Sequence, residues 1–164
     1  MTKLEYVPLH VHTTYSKDGL GPVDALVEFA AKNFRAMAIT DHGTLSGVAE
    51  FWKTATSAGL RPIFGDEIYI QGAEGKRGHL TVLASGGVGF ANLVKLNNAA
   101  HENLDGRNFP IVTLETLEKF NQGLTVLSGC SASPLYQGSE ADAVQFMASL
   151  YDIFGSERLF AEVM

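Results

Sequence analysis

Four of the five histidines in this 164-residue chain stand next to the ends of predicted strands. His10 and His12 close the apolar segment Tyr6–Val11, and at positions i and i+2 of a strand their side chains point to the same face. His42 follows a second apolar run, and His79 opens another. Strand ends are where α/β proteins place their chemistry, and clustered imidazoles there favour a bound divalent metal.

Carboxylate and thiolate groups occur at similar places. Asp41 ends a predicted strand, Glu67 begins one, and Cys130 follows the segment LTVLSG. Together with imidazole, these groups suit zinc, and carboxylates also admit manganese or iron. Each has an ordinary structural alternative, since Asp41 could cap a turn or a helix and a lone cysteine is usually a small buried side chain. The coincidence of many such residues, and no single one, carries the metal hypothesis.

The composition is that of a folded globular protein, with 46% hydrophobic and 18% charged residues. Its net charge is −6, and only Lys76 and Arg77 are adjacent basic residues, so phosphate contacts alone would not hold a nucleic acid. Bound metal ions would have to neutralise a phosphoester substrate locally. The single cysteine excludes an internal disulfide, and the sequence has no signal peptide or membrane-length apolar run. We therefore expect a cytoplasmic protein without a membrane partner.

Short apolar runs alternate with helical periodicity along the whole chain, which predicts an α/β protein built from βαβ units around a parallel sheet. Pro22 is predicted to open the first helix. The other predicted helices are Leu45–Ala58, Phe90–Ala100, Leu114–Phe120 and Ala141–Phe154. The predicted strands are Tyr6–Val11, Ala36–Thr40, Pro62–Phe64, Glu67–Ile70, His79–Ala84, Leu124–Leu127 and Leu159–Val163.

Six motifs, in order, resemble the PHP (polymerase and histidinol phosphatase) domain. They are PLHVHTTYSKDGL, AITDHGTLSGVAEFW, AGLRPIFGDEIYI, HLTVLA, LTVLSGCSAS and FAEVM. Their order is similar to the PHP domain at the N-terminus of bacterial DNA polymerase III alpha subunits, the C-family replicative polymerases. The resemblance covers essentially the whole chain. It implies one PHP domain over residues 1–164, folded as a distorted (β/α)7 TIM-like barrel.

The resemblance also implies a centre of two to three divalent ions (Zn, Mn or Fe). Transferred by position, His10 and His12 share one metal with Glu67. Glu67 bridges to a second metal, which is held by His79 and Cys130. The same glutamate therefore serves as the central ligand of the expected site.

The resemblance assigns the third metal to Asp18 and His42. It also implies that Asp41 is a supporting carboxylate that orients an imidazole. The implied chemistry is phosphoester hydrolysis by a water that the metals activate. The residues expected to take part directly are His10, His12, His42 and Glu67.

In polymerase members the implied activity is 3′–5′ exonucleolytic proofreading, on a DNA 3′ end and beside the polymerase body. The chain would then be a metal-dependent phosphoric ester hydrolase and part of a DNA-directed DNA polymerase. One alternative is a non-catalytic module that supports the replicase or docks a separate proofreading exonuclease subunit. Another is a free-standing phosphoesterase of the histidinol phosphatase type.

Two departures from the family pattern bear on these expectations. Asp66 stands where polymerase members usually have cysteine, which we expect to be neutral for metal binding. The family's closing Asp-x-His motif does not occur after Cys130, so two of the three metals would each be one ligand short. We expect a truncated, split or reduced domain that lacks the last strands of the barrel.

Overall fold

Helices and strands alternate in the computed structural model, which describes residues 5–72 and 75–163. The strands are β1 (Ala36–Ile39), β2 (Arg61–Gln71), β3 (Arg77–Ala84), β4 (Ile111–Val112), β5 (Leu124–Leu127) and β6 (Leu159–Phe160). The helices are α1 (Val23–Asn33), α2 (Val48–Ser57), α3 (Gly86–His101), α4 (Leu114–Phe120) and α5 (Glu140–Phe154). The glycines at 72, 75 and 78 predict a turn over Gly72–Gly78, and part of it, residues 73–74, lies outside the described residues. The α/β architecture is confirmed.

The sheet is mixed, so the prediction of a parallel sheet is wrong for its centre. Its strands follow the order β1-β2-β3-β5-β6, and β4 pairs with β2. β1, β4 and β6 each pair in parallel, whereas β3 is antiparallel to both β2 and β5. The reason is the short connection after β2, because a parallel partner needs a crossover of a dozen or more residues.

The strand predicted at Tyr6–Val11 is not a regular strand. Its chain is extended beside β1, where the carbonyls of Pro8 and Val11 accept hydrogen bonds from Ala38 N at 2.8 Å and Thr40 N at 2.9 Å. Pro8 and Val11 are three positions apart, whereas their partners Ala38 and Thr40 are two apart, so the two segments do not pair residue by residue. Pro8 also has no N–H to donate. A continuous ladder cannot form, but the segment still runs along the edge of β1.

Among the described residues, two large apolar clusters fix the elements around the sheet, and a third, of Ala38, Leu83 and Leu127, is minor. The larger lies between the sheet and helices α3, α4 and α5, and it includes the fully buried Ile68, Leu80 and Leu96. The smaller joins α1, β1 and α2 around Ile39 and Phe51. Burying each such side chain contributes about 1.5–3 kcal/mol. Within the described ranges, no helix combines the length and the apolar character needed to cross a membrane.

The two faces of β2 carry different chemistry. Ile68 and Ile70 point into the larger apolar cluster. Glu67 and Tyr69, at the alternating positions, point to the opposite face. Glu67 pairs in register with Thr81 of β3, and Tyr69 pairs with His79. This second face is where the predicted metal ligands gather.

Candidate metal centre

A buried carboxylate, that of Glu67, lies at the middle of the site, with its side chain only 1% exposed. Its Oε2 lies 3.3 Å from His10 Nε2, 3.1 Å from His12 Nε2 and 2.9 Å from His42 Nδ1. Its Oε1 lies 3.3 Å from His79 Nδ1. Burial opposes the negative charge, but the four neighbouring imidazoles outweigh it and hold the pKa of Glu67 well below its usual range.

The two remaining predicted ligands, Cys130 and Asp18, lie next to members of this cluster. Cys130 Sγ lies 3.3 Å from Glu67 Oε1 and 3.8 Å from His79 Nδ1. Asp18 Oδ2 lies 3.0 Å from His42 Nε2. Burial and the nearby Glu67 charge raise the pKa of the Cys130 thiol. For Asp18, limited burial is outweighed by the His42 contact, which lowers the pKa of the carboxyl. The fold thus brings all the residues predicted as ligands to one place.

Backbone pairing places His42 against Glu67. A parallel bridge joins the two residues just beyond β1, and Glu67 N donates to Asp41 O at 3.2 Å. Gly43 N in turn donates to Glu67 O at 3.1 Å. Burial opposes protonation of His42, but Glu67 and Asp18 outweigh it and raise the pKa of the imidazole.

The converging nitrogen and oxygen atoms are better placed to bind divalent cations than to form hydrogen bonds with one another. The Nε2 atoms of His10 and His12 face one another at 3.0 Å. His42 Nδ1 is buried and makes no hydrogen bond of acceptable geometry, although a carboxylate oxygen is near. Converging lone pairs of this kind are what a metal ion satisfies. Three groups have donor atoms within 4.8 Å of one another: His10, His12 and Glu67; His12, Asp18 and His42; and His42, Glu67 and His79.

These three groups share members, as the residues of a multinuclear centre would. The first group has the members predicted for one ion, and the second adds His12 to the predicted pair Asp18 and His42. The third contains His42 beside Glu67 and His79 and lacks the predicted Cys130, so the assignment of ligands to individual ions stays a prediction. The identity and number of the metals stay a prediction.

Asp41 reaches the imidazoles indirectly. Its buried carboxylate accepts hydrogen bonds from Thr13 N at 2.6 Å, Thr13 Oγ1 at 2.8 Å and Ser16 Oγ at 2.9 Å. Ser16 Oγ accepts from His42 N at 2.8 Å and lies 3.5 Å from His12 Nδ1. Asp41 therefore fixes the turn from Thr13 to Ser16, which follows His12 and contacts His42. None of the hydrogen bonds of Asp41 goes directly to an imidazole.

Glu162 is a site residue that the sequence reasoning did not select. Its Oε1 lies 2.5 Å from His10 Nδ1, and its Oε2 accepts from Thr81 Oγ1 at 3.0 Å. Burial opposes the charge on His10, but Glu162 and Glu67 outweigh it and raise the pKa of His10 to about 9. The signal available was the motif FAEVM, which contains Glu162. The predicted strand Leu159–Val163 placed this residue inside a strand, whereas β6 ends at Phe160.

Asp66 points away from the centre. It is fully buried on the opposite face of β2, where Oδ2 accepts from Asn97 Nδ2 at 2.8 Å and Oδ1 has no hydrogen-bond partner. Burial outweighs the Asn97 hydrogen bond and raises the pKa of Asp66 to about 7. This placement agrees with the expectation that Asp66 takes no part in binding metal.

Comparison with known proteins gives one family and one fold. The sequence profile of the PHP domain matches residues 8–164. The chain is 34% identical over 182 aligned residues to DNA polymerase III subunit alpha of Thermus aquaticus, which covers 99% of the chain and 15% of that relative. It is 36% identical over 144 residues to an error-prone DNA polymerase of Symbiobacterium thermophilum, covering 77% of the chain and 13% of the relative.

A solved structure extends the comparison to the fold. A Bifidobacterium adolescentis protein assigned as a metal-dependent phosphoesterase superposes with a TM-score of 0.59 over 90% of this chain and 76% of the other, at 14% identity. At that identity the likeness concerns the fold alone. It is consistent with the TIM-like α/β fold predicted from the sequence.

Proposed function

The chain belongs to the PHP domain family, and we propose that it is a metal-dependent phosphoesterase module of a bacterial replicative DNA polymerase. The observation that carries the proposal is the convergence of four imidazoles on the buried carboxylate of Glu67. We further propose 3′–5′ exonuclease activity on DNA, with residues 1–164 forming one unit beside a polymerase body in the cytoplasm. The polymerase relatives support this setting, and the chain spans about 15% of their length.

Each residue of the centre has a proposed part. His10 and His12 would hold one divalent ion with Glu67, while His79 and Cys130 would hold a second on the other carboxylate oxygen. Asp18 and His42 would hold a third. When bound, such ions activate water and stabilise the charge that develops on a phosphoryl group. The buried Glu67 offsets the ions' positive charge, and the turn fixed by Asp41 keeps the imidazoles oriented.

The test separates metal binding from hydrolysis. Chelator-treated protein is reloaded with Zn²⁺, Mn²⁺ or Fe²⁺, and bound metal per chain is measured by elemental analysis. Hydrolysis is then followed with an activated phosphodiester and with single-stranded DNA labelled at its 5′ end. We expect bound metal and metal-dependent shortening from the 3′ end, both lost in a His10→Ala, His12→Ala double variant. Folded wild-type protein that takes up no divalent ion would refute the proposal.

A second function is favoured by one observation. The chain carries a net charge of −6, which opposes DNA binding by charge alone. A module that binds metal without turning over phosphoesters would then support the replicase or dock its proofreading subunit. Full metal loading without hydrolysis of either substrate would favour this alternative over the exonuclease.

Replacing Glu162 with Gln tests whether it positions His10. Gln can keep the contact with Thr81, but it cannot supply the carboxylate that holds His10 Nδ1 protonated and leaves Nε2 free for a metal. We expect metal affinity to fall by roughly 10–100-fold, as for other supporting carboxylates. Titration calorimetry measures the affinity, and nitrogen NMR of His10 reports its tautomer. The control is Glu157→Gln, which removes an exposed glutamate just before β6. An unchanged tautomer and affinity would contradict the assigned role.

A further inference from the structure

Basic side chains gather beside the candidate metal centre, although the chain carries a net charge of −6. Lys76, Arg77 and Arg107 border a cavity of about 460 Å³, together with Asp105 and Gln137. We call this cavity, with these five residues, the basic cleft. The sequence placed only Lys76 and Arg77 together. The loop before β4 brings Arg107 to them.

The acid in the basic cleft is already engaged. Asp105 Oδ2 accepts from Arg77 Nη1 at 2.9 Å. Its Oδ1 accepts from the backbone N–H groups of Arg107 at 2.8 Å and Phe109 at 3.0 Å. The hydrogen bond from Phe109 N contributes most to lowering the pKa of the Asp105 carboxyl, and those from Arg107 N and Arg77 lower it further. The carboxylate thus orders the loop and pairs with Arg77, and none of these bonds uses the Arg107 guanidinium.

Arg77 and Tyr69 link the basic cleft to the metal centre. Arg77 and His79 are alternating residues of β3, so their side chains share a face and their Cα atoms are about 7 Å apart. The Tyr69 ring bridges them, with its centroid 5.1 Å from the His79 ring and 5.1 Å from Arg77 Cζ. The Tyr69 ring also stacks on that of His42 at 5.6 Å. The predicted metal ligand His79 and the cation of Arg77 are therefore neighbours on one face of β3.

An aromatic side chain and a further lysine complete this surface. Arg77 Cζ lies 3.6 Å from the centroid of the Phe109 ring, which contacts Tyr69 edge-on at 5.0 Å. Lys17 Nζ lies 6.0 Å from the same Phe109 ring, and Lys17 directly precedes the predicted ligand Asp18. Interleaved cations and aromatic rings along a groove are typical of sites for single-stranded nucleic acid.

We propose that the basic cleft binds the phosphate next to the one at the metal centre, so that the substrate is a single-stranded phosphodiester chain. Arginine suits this part because its planar guanidinium pairs with phosphate through two parallel hydrogen bonds. Tyr69 and Phe109 supply ring surface for the base between the two phosphates. The inference rests on the proposed function only in placing a phosphoester at the metal centre.

The experiment compares a cleft variant with a matched surface variant. The cleft variant is Arg107→Gln, and the control is Arg61→Gln, an exposed arginine at the start of β2, the opposite end from Tyr69. Fluorescence anisotropy measures binding of a short thymidine oligonucleotide with phosphorothioate linkages, at several salt concentrations, to Mn²⁺-loaded full-length chains. We expect Arg107→Gln to weaken binding roughly tenfold, the effect of one charged hydrogen bond. Its log–log salt slope should fall by about 0.7.

A mononucleotide competitor distinguishes a chain from a single phosphate. Thymidine monophosphate has no second phosphate, so its affinity should be the same in wild type and Arg107→Gln. Equal weakening of mononucleotide and oligonucleotide would overturn the inference, as would oligonucleotide binding unaffected by Arg107→Gln. If the wild type hydrolyses no phosphodiester but Arg107→Gln still loses oligonucleotide binding, the proposed function fails and the cleft stands as a binding site.

Discussion

The substitution Glu67→Gln is expected to remove metal from this protein almost completely. Within residues 5–72 and 75–163, Glu67 is the carboxylate that approaches His10, His12, His42 and His79 together, through both of its oxygens. Glutamine keeps the shape but removes the negative charge that a cluster of cations needs. We expect metal affinity to fall by more than roughly 100-fold, the upper range for residues that only support a ligand. Titration calorimetry on chelator-treated protein measures this loss.

The control for Glu67→Gln is Glu115→Gln, which removes an exposed glutamate in the first turn of α4. Circular dichroism must show that both variants keep the wild-type helix content, so that lost binding is not lost folding. Phosphodiester hydrolysis should disappear with the metal in Glu67→Gln and persist in the control. Wild-type metal content in Glu67→Gln would remove this residue from the centre of the site.

The substitution Asp66→Asn is expected to change how stability depends on pH. Burial raises the pKa of Asp66 from its ordinary value of 3.8 to about 7. The folded state therefore binds this proton more tightly than the unfolded state. Stability contributed by the protonated acid is present at low pH and is lost as pH rises from about 4 to about 7. The rise in pKa corresponds to ~4 kcal/mol, and Asn, which does not titrate, avoids this loss.

Urea unfolding of chelator-treated protein at pH 5 and pH 8 tests the expectation for Asp66. The free energy of unfolding of Asp66→Asn, relative to wild type, should increase by about 2–3 kcal/mol between the two pH values, because part of the loss has already occurred by pH 5. The other ionisable groups are the same in both proteins, so their contributions largely cancel in the difference. Asp152→Asn, at an exposed position on α5, should show no such change. A difference that is the same at both pH values would contradict a buried, protonated Asp66.

The sequence by itself determined most elements and most of the site. Helix α4 and strand β5 have the predicted bounds, because Leu114–Phe120 and Leu124–Leu127 carry their periodicity locally. His10, His42 and Cys130 stand in the segments beside strand ends, and neighbouring strands bring such ends to one edge of a sheet. The prediction that Glu67 and His79 begin strands is wrong, because both lie inside longer strands, β2 and β3. Hydrophobic periodicity, and the position of a residue relative to a predicted strand, are local properties of the sequence. A reading of the sequence alone could therefore place His10, His42 and Cys130 near one another.

Only the tertiary structure decided which distant residues complete the site. His10 and Glu162 are 152 residues apart in the sequence. They meet because β6 pairs with β5, and β5 lies two strands from β2 in the sheet. The antiparallel β3 puts Arg77 one alternate position from His79, and the loop before β4 adds Arg107. The face to which Asp66 points likewise depends on the exact register of β2. Strand order and register arise from packing among all the elements, which no local pattern of residues contains.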